Sequence, residues 1–227
     1  MMANNIAVVL LSGGLDSATT LYLARKQGYK CFCLIFDYGQ RQKKEIEYAK
    51  KIARAANCPY KIIKINLPWK GSALLDKKIK IPKLANLRTC ELANKIPSTY
   101  VPARNIIFLS FALSYAEAIG AKAIFIGAHV QDYSGYPDCR PQFYRAFKKV
   151  VLTGTKAGVE KKRIRIGTPL IHKTKAQIIK LGERLGVSFG LTWSCYRGGR
   201  VPCGECDSCY YRAKGFKEAG IKDPLKK

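Results

Sequence analysis

Ile6-Ala7-Val8-Val9-Leu10-Leu11-Ser12-Gly13-Gly14-Leu15-Asp16-Ser17 decides how the chain is read. It opens with an unbroken apolar run, Ile6–Leu11, the pattern of a strand buried on both faces. Ala18 to Lys26, just beyond, reads as a helix. A buried strand, a small-residue turn and a helix start are the parts of an anion cradle. Gly13 and Gly14 let the backbone bend and approach a ligand closely. Free N–H groups at the helix start, together with the helix dipole, favour a phosphate there. Ser12 and Ser17 add hydroxyl donors, and Asp16 is placed to face a magnesium ion. The G-x-x-x-x-G-K-[ST] nucleotide loop is excluded, because no lysine follows the glycines.

Outward from this stretch, strand and helix alternate. Cys31–Phe36 is a second apolar strand, and Gln42–Ala55 is an amphipathic helix with Ile46, Ala49, Ile52 and Ala53 on one face. Tyr60–Ile65 is a third strand. Short apolar strands separated by helices mean βαβ units, a parallel sheet and an α/β fold. Ligands of such sheets bind beyond the carboxyl ends of the strands. The glycine turn lies at one such end, and Asp37-Tyr38-Gly39-Gln40-Arg41 lies at another. Asn66–Arg104, with Pro68, Pro82, Pro97 and Pro102, reads as a long loop with short helices that lines or covers a site. Asn105–Gly120 is a helix, Ala123–Ile126 a fourth strand, and Gly127–Pro141 a polar loop at its end. Gln142–Val151 is a helix and Arg163–Ile166 a fifth strand. Thr174–Leu185 carries a capping box, Thr174 with Gln177, and ends at Gly186. Tyr210–Ala219 is a last helix, stopped by Gly220. Residues 1–190 are expected to form the phosphate-binding α/β domain, with 191–227 a cysteine-bearing segment packed on it.

The totals fit this organisation. A chain of 227 residues with 48% hydrophobic residues suits one domain with a sizeable core. No apolar run approaches a membrane span, and Met-Met-Ala-Asn-Asn lacks the charged start of a signal peptide, so a cytoplasmic protein is expected. Nine cysteines are an odd number in a chain too long for a small secreted domain, which argues against a disulfide framework. Lys and Arg number 41 against 15 acidic residues, a net charge of +26 that would attract nucleic acid, ATP or small anions. The lysines are scattered, however. Lys43, Lys44, Lys50 and Lys51 fall on the polar side of a helix, so a solvated basic surface accounts for the charge equally well.

Two further stretches carry chemistry. Cys203-Gly204-Glu205-Cys206-Asp207-Ser208-Cys209 is a C-x-x-C-x-x-C run with Cys195 upstream. Four thiolates on a short chain can close a tetrahedral zinc site. Iron–sulfur clusters use similar spacing, but here the fourth ligand precedes the run and no Cys-Pro follows Cys209, which favours structural zinc. A zinc ion in a full sulfur shell has no open position for catalysis, so its task would be to pin the C-terminal segment. The second stretch, Asp132 to Arg140, combines carboxylates, phenols, a thiol and a guanidinium. Its tyrosines can stack on a flat ring, Asp138 can accept from a guanine-like N–H edge, and Arg140 can hold a carboxylate bidentately. A solvated turn built on Gly135 and Pro137 fits the same residues. Cys139 reads as pocket wall or as nucleophile, and no partner histidine is evident. His129 and His172 read as packed or surface rings. Arg104-Asn105 at a helix start and Lys175 early in the capped helix are candidate phosphate contacts.

The S-G-G-x-D-S turn resembles the phosphate loop of the N-type ATP pyrophosphatases, the PP-loop proteins. The whole chain resembles the 7-cyano-7-deazaguanine synthase (QueC) family. The resemblance rests on SGGLDS at 12–17, FDYGQR at 36–41, VPARN at 101–105, GYPDCR at 135–140, TPL at 168–170, TWSCY at 192–196 and CGECDSC at 203–209. It implies an adenine-nucleotide α-hydrolase-like fold and a reaction that turns 7-carboxy-7-deazaguanine into the nitrile with ammonium and ATP. It implies ATP along Leu11–Leu21, which includes Leu15, Ala18, Thr19 and Thr20, with magnesium. Ser12, Asp16, Ser17, Asp132, Asp138 and Arg140 would act in catalysis. Tyr38, Gln40, Arg41, Arg104, Asn105, Tyr136, Cys139 and Lys175 would contact substrate. Zinc would sit on Cys195, Cys203, Cys206 and Cys209, in a homodimer. Gln42, where a histidine is usual, Gln142, where a glutamate is usual, and Ala18, where a threonine is usual, depart from the family pattern. Two other readings share the loop: a tRNA-modifying enzyme of thiolase or lysidine synthetase type, and a zinc-bearing nucleotide sensor.

Overall fold

The structure is a computed structural model that describes residues 5–83, 96–130 and 135–226. Its centre is a five-stranded sheet in the order β3-β2-β1-β4-β5. The strands are β1 (Ile6–Leu10), β2 (Lys30–Asp37), β3 (Tyr60–Lys64), β4 (Ala123–Phe125) and β5 (Arg165–Gly167). Every pairing is parallel, with Val8 of β1 opposite Phe32 of β2 on one side and Ile124 of β4 on the other. The helices are α1 (Leu15–Lys26), α2 (Lys44–Ala55), α3 (Arg104–Ala118), α4 (Pro141–Thr153), α5 (Lys156–Val159), α6 (Lys175–Arg184) and α7 (Asp207–Ala219).

The parallel α/β class expected from the sequence is therefore the observed one. Strand side chains alternate between two cores, as a period of two requires. Ala7, Val9, Cys33 and Phe125 point into one core with α1, α2, α6 and α7. Val8, Leu10, Leu34 and Ile124 point into the other with α3 and α4, where the rings of Phe36 and Phe108 stack 3.9 Å apart. β1 is central because it is apolar on both faces, and all of Ala7–Leu10 is buried.

The element ends differ from the sequence reading in ways that matter. α1 starts at Leu15 and not Ala18, since extended Gly14 already caps it and Asp16 and Ser17 lie in its first turn. α7 starts at Asp207, with Cys206 as its cap, so the last cysteine of the run is helical. Thr155 accepts from the Gly158 N–H and caps the four-residue α5, which the sequence reading left out. The capping box is present as expected, with the Thr174 hydroxyl on the Gln177 N–H and the Gln177 amide oxygen on the Thr174 N–H. Within 66–103, the described residues hold turns and no α-helix.

β1 lies where the sheet's connections run outward in both directions, to β2 on one side and β4 on the other. The crevice above such a switch point is where an open α/β sheet binds its ligand. The turn from Leu11 to Gly14 enters that crevice.

Candidate active site

The phosphate loop is built by hydrogen bonds among its own small residues. Ser17 Oγ accepts from the Ser12 N–H at 3.2 Å, lies 3.1 Å from Ser12 Oγ and donates to the Gly14 carbonyl at 3.0 Å. Gly13 has φ +84°, and a Cβ there would lie 2.2 Å from the Glu45 carbonyl oxygen. Only glycine satisfies both demands, and its bare backbone lets the first turn of α2 lie against the loop. The loop is also tied from behind. The Trp193 N–H donates to the Gly13 carbonyl at 2.8 Å, linking it to the cysteine-bearing segment.

In front of the loop is a cavity of about 320 Å³. Asp16 faces it from the first turn of α1, and Lys175 from the first turn of α6. The Lys175 ammonium lies 2.9 and 2.8 Å from the two Asp16 oxygens and 2.9 Å from His129 Nε2. Lys175 reaches this point because residue 215 of α7 is glycine, where a Cβ would be 2.3 Å from Lys175 Cγ. Burial alone would push the Asp16 carboxyl up, but Lys175 and His129 overcome it and hold the group well below the usual carboxylate range. Asp16 thus stays ionised on the cavity wall, and a carboxylate in that state is a group that could hold a magnesium ion.

The far wall is aromatic and polar. Tyr136, Tyr196 and Asp207 line it. The Tyr136 hydroxyl lies 2.7 Å from Thr99 Oγ1, and Arg104 donates to the Tyr38 hydroxyl at 3.3 Å. Burial pushes the Asp207 and Tyr136 groups up from their ordinary values. An apolar slot with a few fixed polar groups suits a flat heterocycle.

Cys195, Cys203, Cys206 and Cys209 come together behind this wall, with their sulfurs all within 4.8 Å of one another. Tetrahedral zinc with Zn–S bonds of about 2.3 Å needs sulfurs about 3.8 Å apart. The Cys203 and Cys209 sulfurs are 3.9 Å apart. Cys195 Sγ also accepts the N–H groups of Arg197 and Cys203, as a thiolate ligand does. The four residues fit a metal ion, and none of them lines the cavity. A buried ion pair, Arg212 to Asp223 at 2.9 Å, locks the same segment, and Arg212 also donates to Thr192.

The family model described as queuosine biosynthesis protein QueC matches residues 6–220. The chain belongs to the QueC family. It is 52% identical to a Clostridium kluyveri protein named 7-cyano-7-deazaguanine synthase, across 97% of this chain and 96% of the relative. Proteins of the same name from Acetivibrio thermocellus and a Nostoc species are 54% and 51% identical, each across 96% of both chains. The QueC resemblance drawn from the sequence is therefore a family membership over nearly the whole chain.

The QueC motifs do not all face the cavity. Leu11, Ser12, Gly14, Leu15, Asp16 and Ser17 line it, whereas Ala18, Thr19, Thr20 and Leu21 of α1 are buried away from it. Tyr38, Arg104, Asn105, Tyr136, Cys139 and Lys175 also line it. Asp138 does not. Its carboxylate accepts the Asn105 N–H at 3.0 Å at the start of α3, and the Asn105 amide donates to the Asp138 carbonyl and to Cys139 Sγ. Arg140 is exposed at the start of α4. Gln40 folds back on Phe36, Tyr38 and Glu45, and Arg41 donates to the carbonyls of Ala73 and Ile79. Asp132 lies outside the described residues. The sequence reading missed Glu45, Tyr196 and Asp207 on the wall and gave His129 no role. Asp207 lies inside the cysteine run, whose spacing signals only its thiols. Glu45 looked like one more charge on an amphipathic helix.

Proposed function

We propose that the chain converts 7-carboxy-7-deazaguanine and ammonium to 7-cyano-7-deazaguanine, a precursor of queuosine and archaeosine, at the expense of two ATP. The observation that carries this is the single cavity running from the Ser12–Ser17 loop to the Tyr136–Tyr196–Asp207 wall, in a chain of the QueC family. No described helix is long and apolar enough to cross a membrane. The catalyst is read as an ATP-dependent carbon–nitrogen ligase, cytoplasmic and homodimeric.

A carboxylate does not react with ammonia unaided, because oxide is a poor leaving group. Attack of a carboxylate oxygen on the α-phosphorus of ATP releases pyrophosphate and leaves an acyl-adenylate. The N–H groups of the Ser12–Ser17 loop receive the charge that develops on the pyrophosphate, with Lys175 beside them. Magnesium, when bound at Asp16, neutralises phosphate charge. Ammonia nitrogen then bonds to the acyl carbon and AMP leaves with the oxygen, giving the amide. The amide oxygen attacks a second α-phosphorus and releases pyrophosphate, and loss of AMP and both N–H protons gives the nitrile. Tyr136 and Tyr196 hold the ring through both rounds, and Asp207 accepts from its N–H edge. Asp138 positions Arg104 and Asn105 by capping their helix. Zinc on the four cysteines stiffens the wall behind the site and takes no part in the chemistry.

The test is to combine protein, ATP, magnesium, ammonium and the carboxylic acid and to follow products by mass and by phosphorus resonance. Nitrile with two AMP and two pyrophosphate is the expected result. ADP and phosphate, or ATP consumption indifferent to the acid, would contradict the reading. Family membership weighs against the tRNA-modifying and sensor readings, and labelled bulk tRNA is expected to remain unchanged in the same mixture.

A further inference from the structure

The main cavity has a side chamber. It measures about 40 Å³ and is lined by Tyr38, Gln40, Gln42, Glu45, Leu74 and neighbouring arginines. Tyr38, Glu45, Arg104 and Tyr196 border both spaces, so the two share a wall. A space of this size accepts one molecule about as large as water. A nucleotide or a deazapurine does not fit.

Several of the chamber's polar groups are already engaged. Gln40 Oε1 accepts the Tyr38 N–H at 2.8 Å, and its amide donates to the Phe36 carbonyl at 3.1 Å and to Glu45 Oε1 at 3.0 Å. Gln42 Oε1 accepts the Lys44 N–H at 2.9 Å. Arg41 is spent on the carbonyls of Ala73 and Ile79. Glu45 Oε2 accepts no hydrogen bond among the described residues. Glu45 is also anchored at its other end, since its backbone abuts Gly13 of the phosphate loop.

Ammonium must lose a proton before its nitrogen can attack anything, and an ordinary carboxylate is too weak a base for the task. Burial makes Glu45 unusual by pushing its carboxyl up to about 7, against the opposing pull of Arg104 and the Gln40 amide. The Arg104 guanidinium works in the same direction on the nitrogen, because a neighbouring cation favours neutral ammonia over ammonium.

We propose that the side chamber is the ammonium site and that Glu45 is the catalytic base that converts ammonium to ammonia there. This rests on the nitrile-synthase reading given above. Glu45 Oε2 takes one proton from ammonium. The freed nitrogen lone pair forms the C–N bond at the acyl carbon, the C–O bond to AMP breaks, and the nitrogen's next proton leaves by the same carboxylate once it has discharged the first to solvent. Proton count and charge balance without a further reactant.

Hydroxylamine separates this role from a structural one, since it is neutral near pH 7 and attacks without prior deprotonation. Glu45→Gln is expected to lower kcat/KM for ammonium about 100-fold, the scale of general-base catalysis, while hydroxamate formation from hydroxylamine falls only about twofold. Glu45→Asp, which keeps the charge on a shorter arm, is expected to lie between the two with ammonium and to match wild type with hydroxylamine. Equal losses with both nucleophiles, or ammonium turnover unchanged in both variants, would overturn the assignment. Acid-dependent ATP–pyrophosphate exchange in the wild type is the accompanying control. Its absence would overturn the nitrile-synthase reading itself, whereas its presence beside equal losses would overturn the role of Glu45 alone.

Discussion

Asp16 and Glu45, two of the carboxylates that face the cavity, have opposite settings, and the difference is one of neighbours. Asp16 has Lys175 and His129 within hydrogen-bonding or ion-pairing distance and is held ionised. It is expected to be indispensable. Asp16→Ala should reduce AMP release by about 100-fold or more while the circular dichroism of the fold is preserved, and near-normal turnover would remove the loop from the mechanism. Glu45 faces the Gln40 amide, the Tyr38 phenol and Arg104, yet among the described residues no cation forms an ion pair with it, and burial dominates. The raised value has a consequence for stability. Between about 4.5 and about 7 the folded protein holds a proton on Glu45 that the unfolded chain releases. Stability contributed by that proton is present below this window and is lost as pH rises through it. Glu45→Gln, which cannot ionise, should therefore have a higher urea midpoint than wild type near about pH 8 and the same midpoint near about pH 5. A constant difference at both values would show that the carboxyl is not shifted.

Among the elements, the phosphate loop lies directly against α2 at Gly13. Gly13→Ala would press a methyl group onto the Glu45 carbonyl and force a left-handed backbone on alanine. Overpacking and strain together should cost about 2–4 kcal/mol in denaturant unfolding and weaken ATP binding in proportion. Retained affinity in this variant would mean that the loop can move off α2. The sequence reading anticipated this glycine's freedom but not the reason for it, because the neighbour it must clear lies on another helix. The same divide runs through the rest of the site. Apolar strands and amphipathic helices repeat with short periods, so β1, β2, β3, α2 and the capped α6 could be read locally. The tasks of Gln40, Arg41 and Asp138 could not. Each is polar and sits in a motif, so each looked like a ligand contact, yet their partners are backbone groups and side chains of the loops and helix ends nearby. Short motifs preserve chemistry and scaffolding in the same letters. Only the partner atom tells which is which.

For the molecule as a whole, the cysteine cluster matters through a backbone hydrogen bond. Trp193 is two residues before Cys195, its indole N–H donates to the Cys195 carbonyl, and Lys44 sits 4.2 Å over its ring. Its own amide holds the Gly13 carbonyl. Removing the metal should then weaken ATP binding although none of the four clustered cysteines lines the cavity. We expect zinc on metal analysis, and chelation or Cys206→Ser should lower both the melting temperature and the affinity for ATP. Unchanged nucleotide affinity in the metal-free protein would break that link. Gly13 belongs to the first turn of the chain and Trp193 to its final portion, and this has a bearing on synthesis. A nascent chain on the ribosome has all five strands of its sheet once Gly167 has emerged, but the carbonyl at the heart of its phosphate loop still lacks a donor. That carbonyl gains its donor only when Trp193, near the cysteines, has been translated.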